Sequence, residues 1–171
     1  MSDKMPRQKY PRTDISVTCP SFKAAFQKNM AALNLPAPDS LFSTYTTAMT
    51  NLSAMLGALS KLGADATVAE MIGATTGLEV LAAIAGIGAA AYTGAVIGSL
   101  MVAASDSMVC TNSAQVSSSV TRWAGSNRVH IPVTMLAFLQ RNPEVIINSP
   151  SRRGYASRHR AATSRKQAAL A

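Results

Sequence analysis

Residues 80–105 read VLAAIAGIGAAAYTGAVIGSLMVAAS, 26 consecutive residues without a charge between Glu79 and Asp106. As one α-helix the run would be about 39 Å long, more than the roughly 30 Å of a bilayer's hydrocarbon core. Gly86, Ala90, Gly94 and Gly98 fall at four-residue steps within it, and Gly73 and Gly77 repeat the step upstream. Residues four apart lie about 40° apart around a helix, so these positions trace one narrow groove. A groove without side chains lets a second backbone approach closely, which is how helices associate in lipid. Leucine at Gly94 and Gly98 should then abolish ion flux, and alanine there should be far milder, since a methyl group still permits near approach. Leu81, Ile84, Ile87, Val96, Leu100 and Val102 supply bulk for lipid or for neighbouring helices. Glycine inside a water-exposed helix costs about 1 kcal/mol against alanine, so the pattern implies close packing.

Gly86-Ile87-Gly88 offers a second geometry, a helical hairpin with arms 66–85 and 89–105 and Gly73 and Gly77 facing Gly94 and Gly98. Glu70 and Glu79 oppose a lipid-embedded first arm unless they face a water-filled lumen. A third reading makes the segment the buried centre of a water-soluble helical bundle.

The flanks read as helices. Ser21 opens a stretch in which Phe22, Phe26, Met30 and Leu33 share a face opposite Lys23 and Lys28, and Leu35-Pro36-Ala37-Pro38 stops it. Asp39 or Ser40 can cap a second helix to about Leu62, with Leu41, Tyr45, Met49, Leu52, Met55, Leu56 and Leu59 on one side and Gly63 as its stop. Beyond Asp106 the chain is serine-rich, with a short helix ending near Trp123, broken by Gly125. A further helix, Val133 to Gln140, has Pro132 as its first residue. Val145-Ile146-Ile147 is a lone strand or a packed turn, and the chain from Ser149 reads as mobile.

The expected fold is all-α: a small helical assembly around a glycine/alanine-rich, membrane-insertable helix or hairpin, with flexible basic tails. Its segments are a basic proline-containing arm 1–20, amphipathic helices 21–64, the glycine-zipper segment 65–105, a serine-rich linker and short helix 106–149, and a basic tail 150–171.

Composition points the same way. Charged residues make up 14% and aromatics 5%, below the quarter charged typical of a soluble domain. The net charge of +8 sits at the two ends, with Lys4, Arg7, Lys9, Arg12, Lys23 and Lys28 at one and Arg152, Arg153, Arg158, Arg160, Arg165 and Lys166 at the other. No acid follows Glu144. Such ends fit a polyanionic surface, and lipid head groups explain them together with the central run better than nucleic acid does.

Chemistry has little to stand on. His130 and His159 are the two histidines, no GxSxG elbow or GxxxxGK loop occurs, and the carboxylates are scattered. Cys19 and Cys110 stand alone, so neither zinc nor any other cofactor is expected, and whether they pair stays open. An enzyme is not expected.

A small chain without a secretory signal, carrying a glycine zipper on a spanning-length apolar segment, resembles the small pore-forming antibacterial effectors of the type VI secretion system. The resemblance rests on Gly73, Gly77, Gly86, Ala90, Gly94 and Gly98. It implies synthesis in the cytoplasm, carriage by the secretion apparatus's tube protein and insertion into a recipient's inner membrane. It further implies self-association there and a cognate membrane immunity protein in the producing cell. Glu79, Thr93, Ser99 and Asp106 would be the pore-lining candidates, solvating ions in a narrow conduit, while the C-terminal arginines and Lys166 bind the anionic surface.

Overall fold

A computed structural model describes residues 21–104 and 115–160. The arm 1–20, Cys19, Asp106, Cys110, Arg165 and Lys166 lie outside the described residues. The fold is all-helical. Helix α1 spans Phe22–Ala32, and the Ser21 hydroxyl accepts from the Ala24 amide at its start. The expected second helix is two, α2 at Asp39–Phe42 and α3 at Tyr45–Leu62. The break falls at Thr44, which is extended and whose hydroxyl caps the Thr47 amide at 3.1 Å. A side chain that satisfies the backbone in this way offers an alternative to continuing the helix. Gly63 ends α3 at a φ of +90°, where a Cβ would be strained.

The 65–105 segment departs most from expectation. It is neither one long helix nor a hairpin of two long arms. Helix α4 covers Val68–Ala74 and starts with a capping box between Thr67 and Glu70. Glu70, weighed from sequence as a charge in lipid or in a lumen, therefore receives the Thr67 amide at 2.7 Å. Thr75 is extended, Gly77 has a φ of +89°, and a 3-10 turn at Glu79–Ile84 follows. Gly86-Ile87-Gly88 does reverse the chain. Val68 donates to the Ile87 carbonyl at 2.8 Å and Ala89 to the Ala66 carbonyl at 2.7 Å, a single antiparallel bridge.

Helix α5, Ala89–Ala104, is the axis of the fold. Every residue from Ala89 to Met101 is buried. Helices α1, α3 and α4 surround it, joined by α7 (Val133–Arg141) and a 3-10 turn at Pro143–Val145. A helix apolar on all sides must be enclosed, and here the chain itself encloses it. At 16 residues it is about 24 Å long, and no described helix is long and apolar enough to cross a membrane. Leu81, Ile84, Ile87, Val96 and Leu100, assigned from sequence to lipid or to other helices, are buried within the chain.

Further along, α6 (Val116–Ser126) packs on α7, with Val116, Val120 and Ala124 buried, and runs past Gly125. Pro132 caps α7 and is not its first helical residue. Val145 and Ile146 form the packed turn and no strand. Residues 150–160, read as mobile, form a 3-10 turn at Pro150–Gly154 and then a helical turn, with Tyr155 and Ala156 buried. Phe26 stacks on Phe42 with ring centroids 4.8 Å apart, and Phe22 meets Tyr45 edge-on at 5.5 Å, which seats α1 on α2 and α3.

Candidate functional site: the enclosure of α5

The two glycines at the heart of the supposed zipper are filled from within. A Cβ on Gly94 would sit 2.9 Å from the Phe138 ring of α7, and one on Gly98 would sit 2.7 Å from the Val145 carbonyl carbon. Gly98 thus admits a backbone where any side chain would stand, and that backbone belongs to the 143–145 turn. Ala90, 5% exposed, completes the groove. Gly73, Gly77 and Gly86 have nothing within 4 Å of where a Cβ would be, so they belong to no packed groove in this structure. Gly77 is needed for its backbone angle and Gly86 lies in the reversal.

The pore-lining candidates divide similarly. Thr93 is wholly buried, its hydroxyl 3.9 Å from the Met71 sulfur. Ser99 is wholly buried too and accepts from the Asn29 carboxamide at 2.8 Å. Glu79 is exposed, and hydrogen bonds from its own backbone amide and then from the Gly77 amide, at 3.1 Å, hold its carboxyl below the usual range. These three do not share a surface.

Ser99 leads into a polar cluster that the sequence reading missed. Asn29 also donates to the Val145 carbonyl at 3.3 Å, and its own carbonyl receives Arg152. Arg152 donates from Nε to the Glu144 carbonyl at 2.9 Å, and Arg158 pairs with the Glu144 carboxylate while reaching the Ser151 carbonyl at 3.1 Å. Ser99, Asn29, Val145, Arg152, Glu144 and Arg158 therefore join α5, α1 and the C-terminal turns. Burial lowers the Arg152 guanidinium's proton affinity from its ordinary value. A signal for Asn29 was present, since it falls within the apolar stripe of Phe22, Phe26, Met30 and Leu33, where a polar side chain needs a buried partner. Arg153 and Arg160 are exposed and take no part in the cluster.

Tyr155 lies against α5, its hydroxyl donating to the Ala91 carbonyl at 2.7 Å. Burial first, and then the Glu144 charge, push its phenol well above the ordinary value, with Arg158 opposing. His159 sits against the rings of Tyr155 and Phe138, at 4.5 and 5.3 Å, and borders a cleft of about 330 Å³ lined also by Asp65, Ala91, Thr134 and Arg141. Among the described residues no group of three or more His, Cys, Asp or Glu is placed to hold a metal ion.

Burial, and next the Arg158 cation, lower the His159 pKa, against a smaller raising effect of Glu144. The unfolded chain then binds this proton near pH 6.5, before the folded chain does. Stability is unaffected by this group above that pH, falls as pH drops towards the folded value and levels off below it. His159→Phe should remove that share of the acid-side loss, read as a smaller shift of the urea midpoint between about pH 8 and pH 5 than the parent shows. Equal shifts in the two proteins would contradict the assignment.

Comparison with protein-family models, with curated proteins and with solved structures returns no match, so the chain's own geometry carries the functional reading.

Proposed function

We propose that the chain is a membrane-permeabilising protein held in a water-compatible form, of the kind its sequence resembles among type VI secretion effectors. The observation that carries this reading is α5, charge-free, buried from Ala89 to Met101, and enclosed by helices whose outer faces carry Lys23, Lys28, Thr46, Thr50 and Ser53. The alanines and glycines of α5 gain little from burial and depend on close fit, while Tyr92, Val96, Ile97, Leu100 and Met101 supply its apolar burial. Moving such a helix from a protein interior to lipid abandons little transfer energy and buries no charge. In the inserted form the 26 uncharged residues of 80–105 would re-form as one helix, which requires giving up the 66–68 bridge to 87–89.

In this reading the chain is made in a cytoplasm, travels within the tube protein's ring, and acts in a recipient's inner membrane against which the producer keeps an immunity protein. Copies self-associate there through the face of α5 that Phe138 and Val145 now cover. The exposed Arg153 and Arg160 meet anionic head groups.

Purified protein mixed with anionic liposomes should float with them and discharge a potassium gradient. Flotation that salt reverses, without flux, would replace this reading by its alternative, a soluble helical protein whose basic ends bind lipid or nucleic-acid phosphates.

A further inference from the structure

The two sides of the enclosure differ in chemistry. Towards α1 and α3 the packing is mostly apolar, with Phe26, Met30, Leu33, Leu52, Met55 and Leu56 all buried and one polar bond from Asn29 to Ser99. Towards the C-terminal turns Val145, Ile146, Tyr155 and Ala156 are buried as well, but the contact also includes a backbone laid on Gly98, one ring on Gly94, and a set of polar bonds centred on Asn29, Arg152 and Glu144. Of these contacts the polar bonds are the ones that can be exchanged for others of the same kind at a charged surface. The cations holding this side, Arg152 and Arg158, have planar guanidinium groups that match phosphate oxygens two at a time. Arg152 is half-buried and spends its donors on uncharged oxygens, those of Asn29 and Glu144, so a phosphate would be its stronger partner. Arg153 and Arg160 stand exposed beside it in sequence and bring the same segment to an anionic surface.

We infer that residues 143–158 form a releasable clamp on α5, opened when the phosphate head groups of an anionic bilayer take Arg152 and Arg158 from Asn29 and Glu144. The inference takes its surface from the proposed action at a bilayer. Release uncovers Gly98 and the Ala91 end of α5 while α1 and α3 still cover the rest, so the clamp is the first part of the enclosure to go. Arg152 is here a positioning residue: it holds the Val145 turn against Gly98 through Asn29 and the Glu144 backbone.

The test is hydrogen exchange on the full chain, in buffer, with inorganic phosphate, with phosphatidylcholine vesicles, and with the same vesicles containing about a third phosphatidylglycerol. On anionic vesicles the 143–158 amides should exchange roughly tenfold faster or more, while those of α1 and α3 keep their protection. Neutral vesicles and free phosphate should leave the clamp shut. Arg152→Gln places an amide nitrogen about where Nε stands, so it keeps a donor for the Glu144 carbonyl but loses the charge and the bond to Asn29. On anionic vesicles at saturating lipid its 143–158 amides should exchange no faster than they do in buffer. Arg153→Gln/Arg160→Gln should bind vesicles more weakly yet open normally once bound. Should Arg152→Gln not fold, Glu144→Gln is the second variant. It releases Arg158, and its 143–158 amides should exchange faster in buffer alone.

Continued protection of 143–158 on saturating anionic vesicles would overturn the inference, as would opening in step with α1 and α3. Opening by free phosphate would overturn the bilayer as trigger. Potassium flux measured on the same samples separates the two ideas: local opening without flux keeps the clamp and removes the permeabilising role.

Discussion

Gly98→Ala should lower stability by about 2 kcal/mol, a fall in Tm of roughly 4–8 °C for a chain of this size. The added methyl would stand 2.7 Å from the Val145 carbonyl carbon, and the obstacle is backbone, not the end of a flexible side chain. Overpacking of this severity costs about 3 kcal/mol, and the alanine's better helix propensity returns about 1. Gly57→Ala is the matched control. Gly57 lies within α3 with nothing within 4 Å of a Cβ, so the same substitution should stabilise by about 0.5–1 kcal/mol. Thermal melts of the two variants should move in opposite directions. A Gly98→Ala protein as stable as its parent would mean that the Val145 turn does not rest on α5. The spacing of small residues made alanine at Gly98 milder than leucine for helices associating in lipid, and it does not register what the groove holds in the folded chain.

Tyr155→Ala should cost about 4 kcal/mol and roughly 8–16 °C in Tm, the size expected for emptying the site of a buried aromatic ring. Tyr155 is fully buried, and its loss would leave a void between α5 and His159 and remove the hydroxyl from the Ala91 carbonyl. Tyr155→Phe isolates the hydroxyl and should cost about 1 kcal/mol, since the Ala91 carbonyl keeps its place in the helix ladder. Denaturant midpoints of the two variants give both numbers. Near-parental stability of Tyr155→Ala would return residues 150–160 to the role of a solvated tail. It would also deprive the clamp of its apolar anchor.

The helical class, Ser21 as the start of the first helix, Gly63 as a stop, and the burial of the apolar run in a helical bundle, as one of three readings, were legible in the sequence. Each depends on local chemistry or on periodicity, and both are written in neighbouring residues. The reversal at Gly86–Gly88 was legible for the same reason, as one of two options. Thr44 was not, because a threonine that caps and one that sits on a polar helix face look alike until the chain direction is known. The site was read through the wrong partner. The groove of Ala90, Gly94 and Gly98 is there, but what fills it comes from Phe138 and Val145, more than 40 residues on in the chain. Arg152 and Arg158 looked like tail charges because sequence shows no acid near them beyond Glu144, and nothing local ties either of them to Asn29.

The hydrogen bond from Asn29 to the Val145 carbonyl joins residues 116 positions apart. A ribosome adding about 5–20 residues per second needs roughly 6–23 s to make the second after the first. The interval that matters more begins at Ala104, where α5 is complete, and lasts until Val145 exists to lie on Gly98, roughly 2–8 s at the same pace. Through those seconds α1 and α3 can already fold onto the apolar helix, but its glycine face has no cover that the chain can yet provide. Sequence distance sets the length of this window, and stabilising the finished fold does nothing to shorten it. The nascent chain therefore passes through a stage in which its most lipid-compatible surface is open to whatever stands near the exit of the ribosome.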